Sequence, residues 1–167
     1  MKFDIGDKVV HPQHGVGTIV DIVLEEINTE DAKQYYILSI PDITLWVPVD
    51  LDNTGIRKLG SKSEIDKCRQ ILMSDPTQLE SGRGLVSSLV YRIRQGTILS
   101  HCEVVRDLAA YGWKKSLFGT LADFRDKGIK VFCQEWAEIE NISFSDASSE
   151  IYALLKKGKL IHFIPIK

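Results

Sequence analysis

His11 and His14, three residues apart in HPQHG, are imidazoles that could share a metal ion or a proton. No cysteine or carboxylate cluster completes a ligand set beside them, and Pro12 with Gly15 marks a turn. The pair therefore reads as turn histidines that hydrogen-bond, with no metal. His101 and Cys102 are adjacent in a stretch of helical pattern, where neighbouring side chains do not face each other, so they do not form a nucleophile pair. GIRKLGSK has two glycines of a phosphate loop but lacks the Gly-Lys-Ser/Thr that would hold a nucleotide. Neither a G-x-S-x-G elbow nor a dinucleotide fingerprint is present. Cys68, Cys102 and Cys133 stand about thirty residues apart without a C-x-x-C pair, the usage of small buried hydrophobes rather than of a zinc cluster or disulfide framework. The chain reads as a non-enzyme without a cofactor.

The residues suited to binding are more informative. In IPDITLWVPVD, Trp46 alternates with Leu45 and Val47; if those two point into a core, Trp46 points outward. An outward tryptophan on a short strand either anchors a partner or covers the strands against another part of the chain. Further along, Arg83, Arg92, Arg94, Arg106, Lys114 and Lys115, with Tyr111 and Trp113 interleaved, could line a surface that binds phosphate backbone without reading sequence. Ordinary solvated helix charges would look the same.

Two kinds of element must position these residues. From Phe3 to Lys58 the runs KVV, TIVDIVL, YYILSI and TLWVPV are β-branched and broken by turn residues. Such short strands bury their apolar face by curling into a small SH3-like or Tudor-like barrel. Gly15 and Gly17 fit the bend between the first two strands. After Gly60 the period lengthens to that of helices. Ser61 and Glu64 have capping-box spacing ahead of Ile65, Cys68, Ile71 and Leu72, and this helix ends before Asp75-Pro76. DPTQLESGRG reads as a mobile connector. A second helix carries Leu85, Leu89 and Ile93 and stops at Gly96, and a third carries Val104, Val105 and Leu108 and stops near Gly112. A fourth covers Leu117 to Glu140, with Gly128 as a kink or break; a last one is capped by Ser145 and stopped by Gly158. The tail KLIHFIPIK is β-prone. The fold class is thus α+β, with a barrel over residues 1–60 and a helical domain over 61–167.

Charge separates the same two parts. Residues 1–60 hold five Lys and Arg against ten Asp and Glu, whereas residues 61–167 hold sixteen against thirteen, so the two parts face different partners. No apolar stretch reaches the roughly 20 residues of a membrane span, and MKFDIGDK lacks the apolar core of a signal peptide, which leads to an expectation of a soluble cytoplasmic protein.

FDIGDKVVHPQHGVGTIVDI, followed by QYYILSI and LWVPVD, resembles the polymerase-interacting barrel shared by CarD transcription regulators and the transcription-repair coupling factor. HCEVVRDL, Gln95-Gly96 and FCQEWAEIENIS are similar to the helical region of CarD proteins, which favours that branch over a helicase. The resemblance implies a barrel docked on the lobe of the RNA polymerase β subunit, with Glu25, Ile27, Leu45 and Trp46 as contacts. It also implies helices beside promoter DNA at the upstream edge of the bubble, with Arg83, Arg92, Arg94, Lys114 and Lys115 as contacts, and an action on open complexes. Two departures stand out. Gly82 occupies the position of the family's wedge tryptophan, with Gly84, Leu85 and Ser87 on basic positions that follow; Glu25 and Trp46 fall on or near sites where relatives carry arginine. A protein-interaction module that has lost DNA contact is the alternative these departures imply.

Overall fold

Strand pairing begins at the PQH turn, where Gly15 takes φ +87° and lets β1 (Lys8–His11) fold back on β2 (Gly15–Glu26) with His11 opposite Gly15. The computed structural model describes residues 3–26, 32–49 and 55–162, and two compact units, residues 1–59 and 60–167, divide the chain. In the first unit β2 pairs antiparallel with β3 (Ala32–Ile40), and β3 pairs with β4 (Ile43–Pro48) across Pro41 and the left-handed Asp42, φ +65°. The short β5 (Arg57–Lys58) lies on the free side of β1, giving the order β4-β3-β2-β1-β5.

Among the described residues this sheet is open: β4 and β5 are its edges and do not pair with each other. The barrel expected from the sequence is therefore not closed by a ladder. Side chains cover the core instead. A bulge between Ile19 and Asp21 bends β2, and Phe3 and Ile56, both outside the strands, pack with Val9, Ile19, Tyr36, Leu38, Ile40 and Val47. Residues 3–7 are fastened by backbone bonds from Gly6 N–H to Ile19 O and from Ile19 N–H to Asp7 O, and Phe3 N–H donates to the Tyr36 hydroxyl at 3.0 Å. Gly17 has no substitute here, because a Cβ would lie 2.7 Å from side chains of both Ile40 and Leu38.

The second unit contains α1 (Lys62–Met73), α2 (Leu85–Gln95), α3 (Ile98–Lys114), α4 (Gly119–Glu140) and α5 (Phe144–His162). Ser61 and Glu64 form the capping box at α1, and α2 ends at Gly96. α3 touches the other four helices and buries residues on every side, including His101, Arg106 and Asp107. Leu89 and Ile93 of α2 pack on Val104 and Leu108 of α3, joined by Leu79, Leu121 and Phe124. Arg69 of α1 gathers three carboxylates, Glu150 at 2.7 Å, Glu140 at 2.9 Å and Asp66 at 2.6 Å, and its guanidinium lies 5.3 Å from the centre of the Trp136 ring. The Trp136 indole N–H completes the tie by donating to Glu150. Glu150 foremost, then Glu140, raises the Arg69 pKa, so its charge is permanent.

Several details differ from the sequence reading. α4 runs through Gly128 without a break. The hydroxyl that caps α5 belongs to Ser143, which accepts Asp146 N–H at 3.0 Å, two residues before Ser145. α5 continues past Gly158 to His162, because that glycine serves packing rather than termination: a Cβ there would lie 2.8 Å from Leu72 O and 3.1 Å from Met73 Cα. Residues 159–162 of the β-prone tail are thus helical, and residues 163–167 lie outside the described residues. No helix among the described residues is long and apolar enough to cross a membrane.

Candidate interaction surfaces

The β4 strand presents both an edge and a face. Val49 N–H donates to Gln34 O at 2.9 Å, which makes 34 and 49 a hydrogen-bonded pair and, by alternation, also 36/47, 38/45 and 40/43. Thr44, Trp46 and Pro48 sit at the intervening positions, so their backbone groups turn away from β3 toward the open edge. Pro48 has no N–H to offer and ends the run of donors. The same alternation sends Val47 into the core and leaves Leu45 packed against it, while Trp46 is 58% exposed on the outer face. Its ring lies 6.0 Å from that of Tyr35, with Ile37 directly opposite on β3. Trp46 therefore points outward, as its alternation with Leu45 and Val47 implies. Leu45 is a supporting residue rather than an exposed one. Glu25 is paired with Lys33 at the far end of the β2–β3 ladder; its side chain and the whole of Ile27 lie outside the described residues.

The cations of the helical unit fall into two groups. Arg92 binds Asp107 at 3.0 Å and Glu103 at 3.6 Å, so it fastens α2 to α3. Arg106, grouped above with the outward charges, is buried: its guanidinium reaches Asp107 at 2.7 Å and 2.9 Å and Ser74 Oγ at 2.8 Å. Asp107, with no exposed side chain, accepts in addition the backbone N–H of Thr77 at 3.0 Å. This cluster ties Ser74 and Thr77 to α3, at the start of the 75–84 connector whose composition predicts mobility. Arg83, Arg94, Lys114 and Lys115 remain exposed. Arg83 precedes the start of α2 at Leu85, and Arg94 sits at the other end of that helix. Lys114 and Lys115 border a cleft of about 400 Å³ between the connector and α3, and the Lys115 ammonium lies 5.5 Å from the centre of the Tyr111 ring. A Cβ at Gly82 or Gly84 would meet nothing within 4 Å, so the backbone does not require glycine at either position.

The histidines and cysteines have structural partners. His11 Nδ1 accepts Gln13 N–H at 3.2 Å, and the His11 and His14 rings are 4.7 Å apart. Among the described residues no group of three or more His, Cys, Asp or Glu is placed to hold a metal ion. The Cys102 thiol donates to Cys68 O, whereas the adjacent His101 ring faces Phe132 at 5.5 Å. All three cysteines are buried and free. Burial raises the Cys102 thiol pKa and pushes that of Cys133 up to about 11, with a Ser148 hydrogen bond opposing the latter.

Residues 3–60 match the family model described as the CarD-like/TRCF RID domain. The chain is also 28% identical over 149 residues, 84% of its length and 94% of the relative's, to a Bacillus subtilis (strain 168) protein described as "Putative transcription factor YdeB".

Proposed function

We propose, on the premise that residues 3–60 are a CarD-like/TRCF RID domain, that this chain is a bacterial transcription regulator that docks on the β-subunit lobe of RNA polymerase and acts on promoter open complexes. The observation that carries the reading is the open β4 edge with Trp46 on its outer face, inside the segment that matches the domain model. Backbone groups of Thr44 and Trp46 could extend a ladder into a partner strand, and Trp46 would supply the desolvated anchor beside it. Glu25, Ile27, Leu45 and Trp46 are the contacts of this reading.

The helical unit would then lie near upstream promoter DNA, with Arg83, Arg94, Lys114 and Lys115 holding phosphates and stabilising whichever promoter state presents them with most backbone. Arg92 is the weakest member of the set, because its guanidinium is engaged by Asp107. That engagement, the burial of Arg106 and the glycine at position 82 favour a second reading, a module that binds polymerase and leaves DNA untouched.

A pull-down with the isolated β lobe tests the first half. Wild type should bind, and Trp46→Ala should weaken binding by about 2 kcal/mol, roughly thirtyfold, as for an interface anchor; failure of wild type to bind removes the polymerase assignment. Fork-junction promoter DNA separates the two readings. A DNA-contacting chain loses affinity steeply with salt, and Gly82→Trp, at a position where an added Cβ meets nothing within 4 Å, should strengthen its binding, whereas the second reading predicts no binding at any ionic strength.

A further inference from the structure

Helices α3, α4 and α5 border a groove of about 780 Å³ that plays no part in the surfaces above. Leu108, Ile129 and Leu155 line it, together with Trp113, Tyr152 and Leu160. Tyr152 and Leu160, about two turns apart on α5, are each more than half exposed, which leaves large apolar surface uncovered along one side of the groove. Gly112 contributes only backbone to the lining, and a Cβ there would meet Leu117 at 3.4 Å.

The net charge of its lining is positive. Arg125 is bound by Asp126 at 2.8 Å, the only carboxylate of the lining, and the two cancel. Lys156 and Lys159 of α5 then leave the lining positive, and the Lys159 ammonium lies 5.5 Å from the centre of the Trp113 ring. Aromatic side chains beside an apolar floor, with cations around them, are the composition of a protein-binding hot spot. A phosphate-binding face would be polar along its floor and more densely basic.

We propose that this groove docks an acidic amphipathic helix of a partner protein, its apolar stripe seated between Trp113 and Tyr152 and its carboxylates meeting Lys156 and Lys159. The inference rests on the helical unit alone and stands or falls apart from polymerase docking.

The test uses the full chain, isotopically labelled, titrated with a synthetic amphipathic peptide that has Leu and Phe on one helical face and Glu on the other. A control peptide replaces every Glu with Lys. The acidic peptide should move the indole N–H resonance of Trp113 and leave that of buried Trp136 in place. It should bind at least about tenfold more tightly than the basic one, and Lys156→Glu with Lys159→Glu should cost about the same factor. An unmoved Trp136 resonance in each titration reports an intact fold. A Trp113 resonance unmoved by the acidic peptide overturns the proposal, as do equal affinities for the two peptides or undiminished binding by the variants. So do two other outcomes: a response to duplex DNA alone, or a response to peptide only after residues 163–167 are removed, which would make the chain's own end the occupant.

Discussion

Replacing Asp107 with alanine removes one carboxylate and strands everything it holds. That carboxylate has no exposed surface and accepts from the Arg106 guanidinium at 2.7 Å and 2.9 Å, from Arg92 at 3.0 Å and from Thr77 N–H at 3.0 Å. Arg106 would be left charged with its side chain only 11% exposed. Breaking a buried pair in this way costs about 3–5 kcal/mol, and the orphaned Thr77 N–H adds about 1 kcal/mol. We therefore expect Asp107→Ala to destabilise the helical unit by about 4 kcal/mol or more, measured as the shift in urea unfolding followed by far-UV circular dichroism. Pairing Arg106→Met with Asp107→Leu should recover most of the loss, since an apolar replacement of both partners leaves no buried charge behind. The connector supplies a local readout: with Thr77 released, trypsin should cut after exposed Arg83 markedly faster than in wild type. If Asp107→Ala unfolds within about 1 kcal/mol of wild type and Arg83 is cut no faster, the cluster does not fasten this region and the argument is wrong.

Gly158→Ala should destabilise by about 1–3 kcal/mol in the same assay, although alanine favours helix, because its methyl meets the backbone of Leu72 and Met73. Trp46→Ala should change stability by less than about 0.5 kcal/mol, so that a loss of polymerase binding cannot be ascribed to unfolding; differential scanning calorimetry decides this. Cys133 makes stability fall with rising pH. The folded thiol stays neutral until about 11 while the unfolded thiol ionises from its ordinary 9.0, so its contribution is complete below pH 9 and is lost between those values. Urea midpoints of wild type and Cys133→Ala should accordingly converge or cross as pH rises through that window.

Local chemistry was the legible part of this sequence. Ser61 and Glu64 announce the start of α1, Gly96 the end of α2, and the alternation around Trp46 gives its direction, because each depends on residues a few positions away. Long-range contacts were not legible. Gly158 has the look of a helix stop, and its true reason is the end of α1, more than eighty residues earlier in the chain. Arg106 beside Asp107 resembles surface charge until α3 is seen to be enclosed by four helices. His101, Val104, Val105 and Leu108 carry no signal of that enclosure, since their i, i+3, i+4, i+7 spacing is that of a one-sided helix; it is the consecutive burial of Val104, Val105, Arg106, Asp107 and Leu108 that shows α3 covered all round. Closure of the barrel was over-read, since apolar side chains outside the strands can seal a small sheet without a last ladder.

The three interior thiols have a practical corollary. With Cys68, Cys102 and Cys133 all shielded from solvent, a maleimide dye has nothing to attach to on the native protein. A single cysteine introduced at an exposed position of β4, and another on α5, could each carry a fluorophore without first stripping out the natural sulfhydryls. Distance measurements between the strand edge and the helical groove would then follow occupancy of both surfaces in one unaltered scaffold.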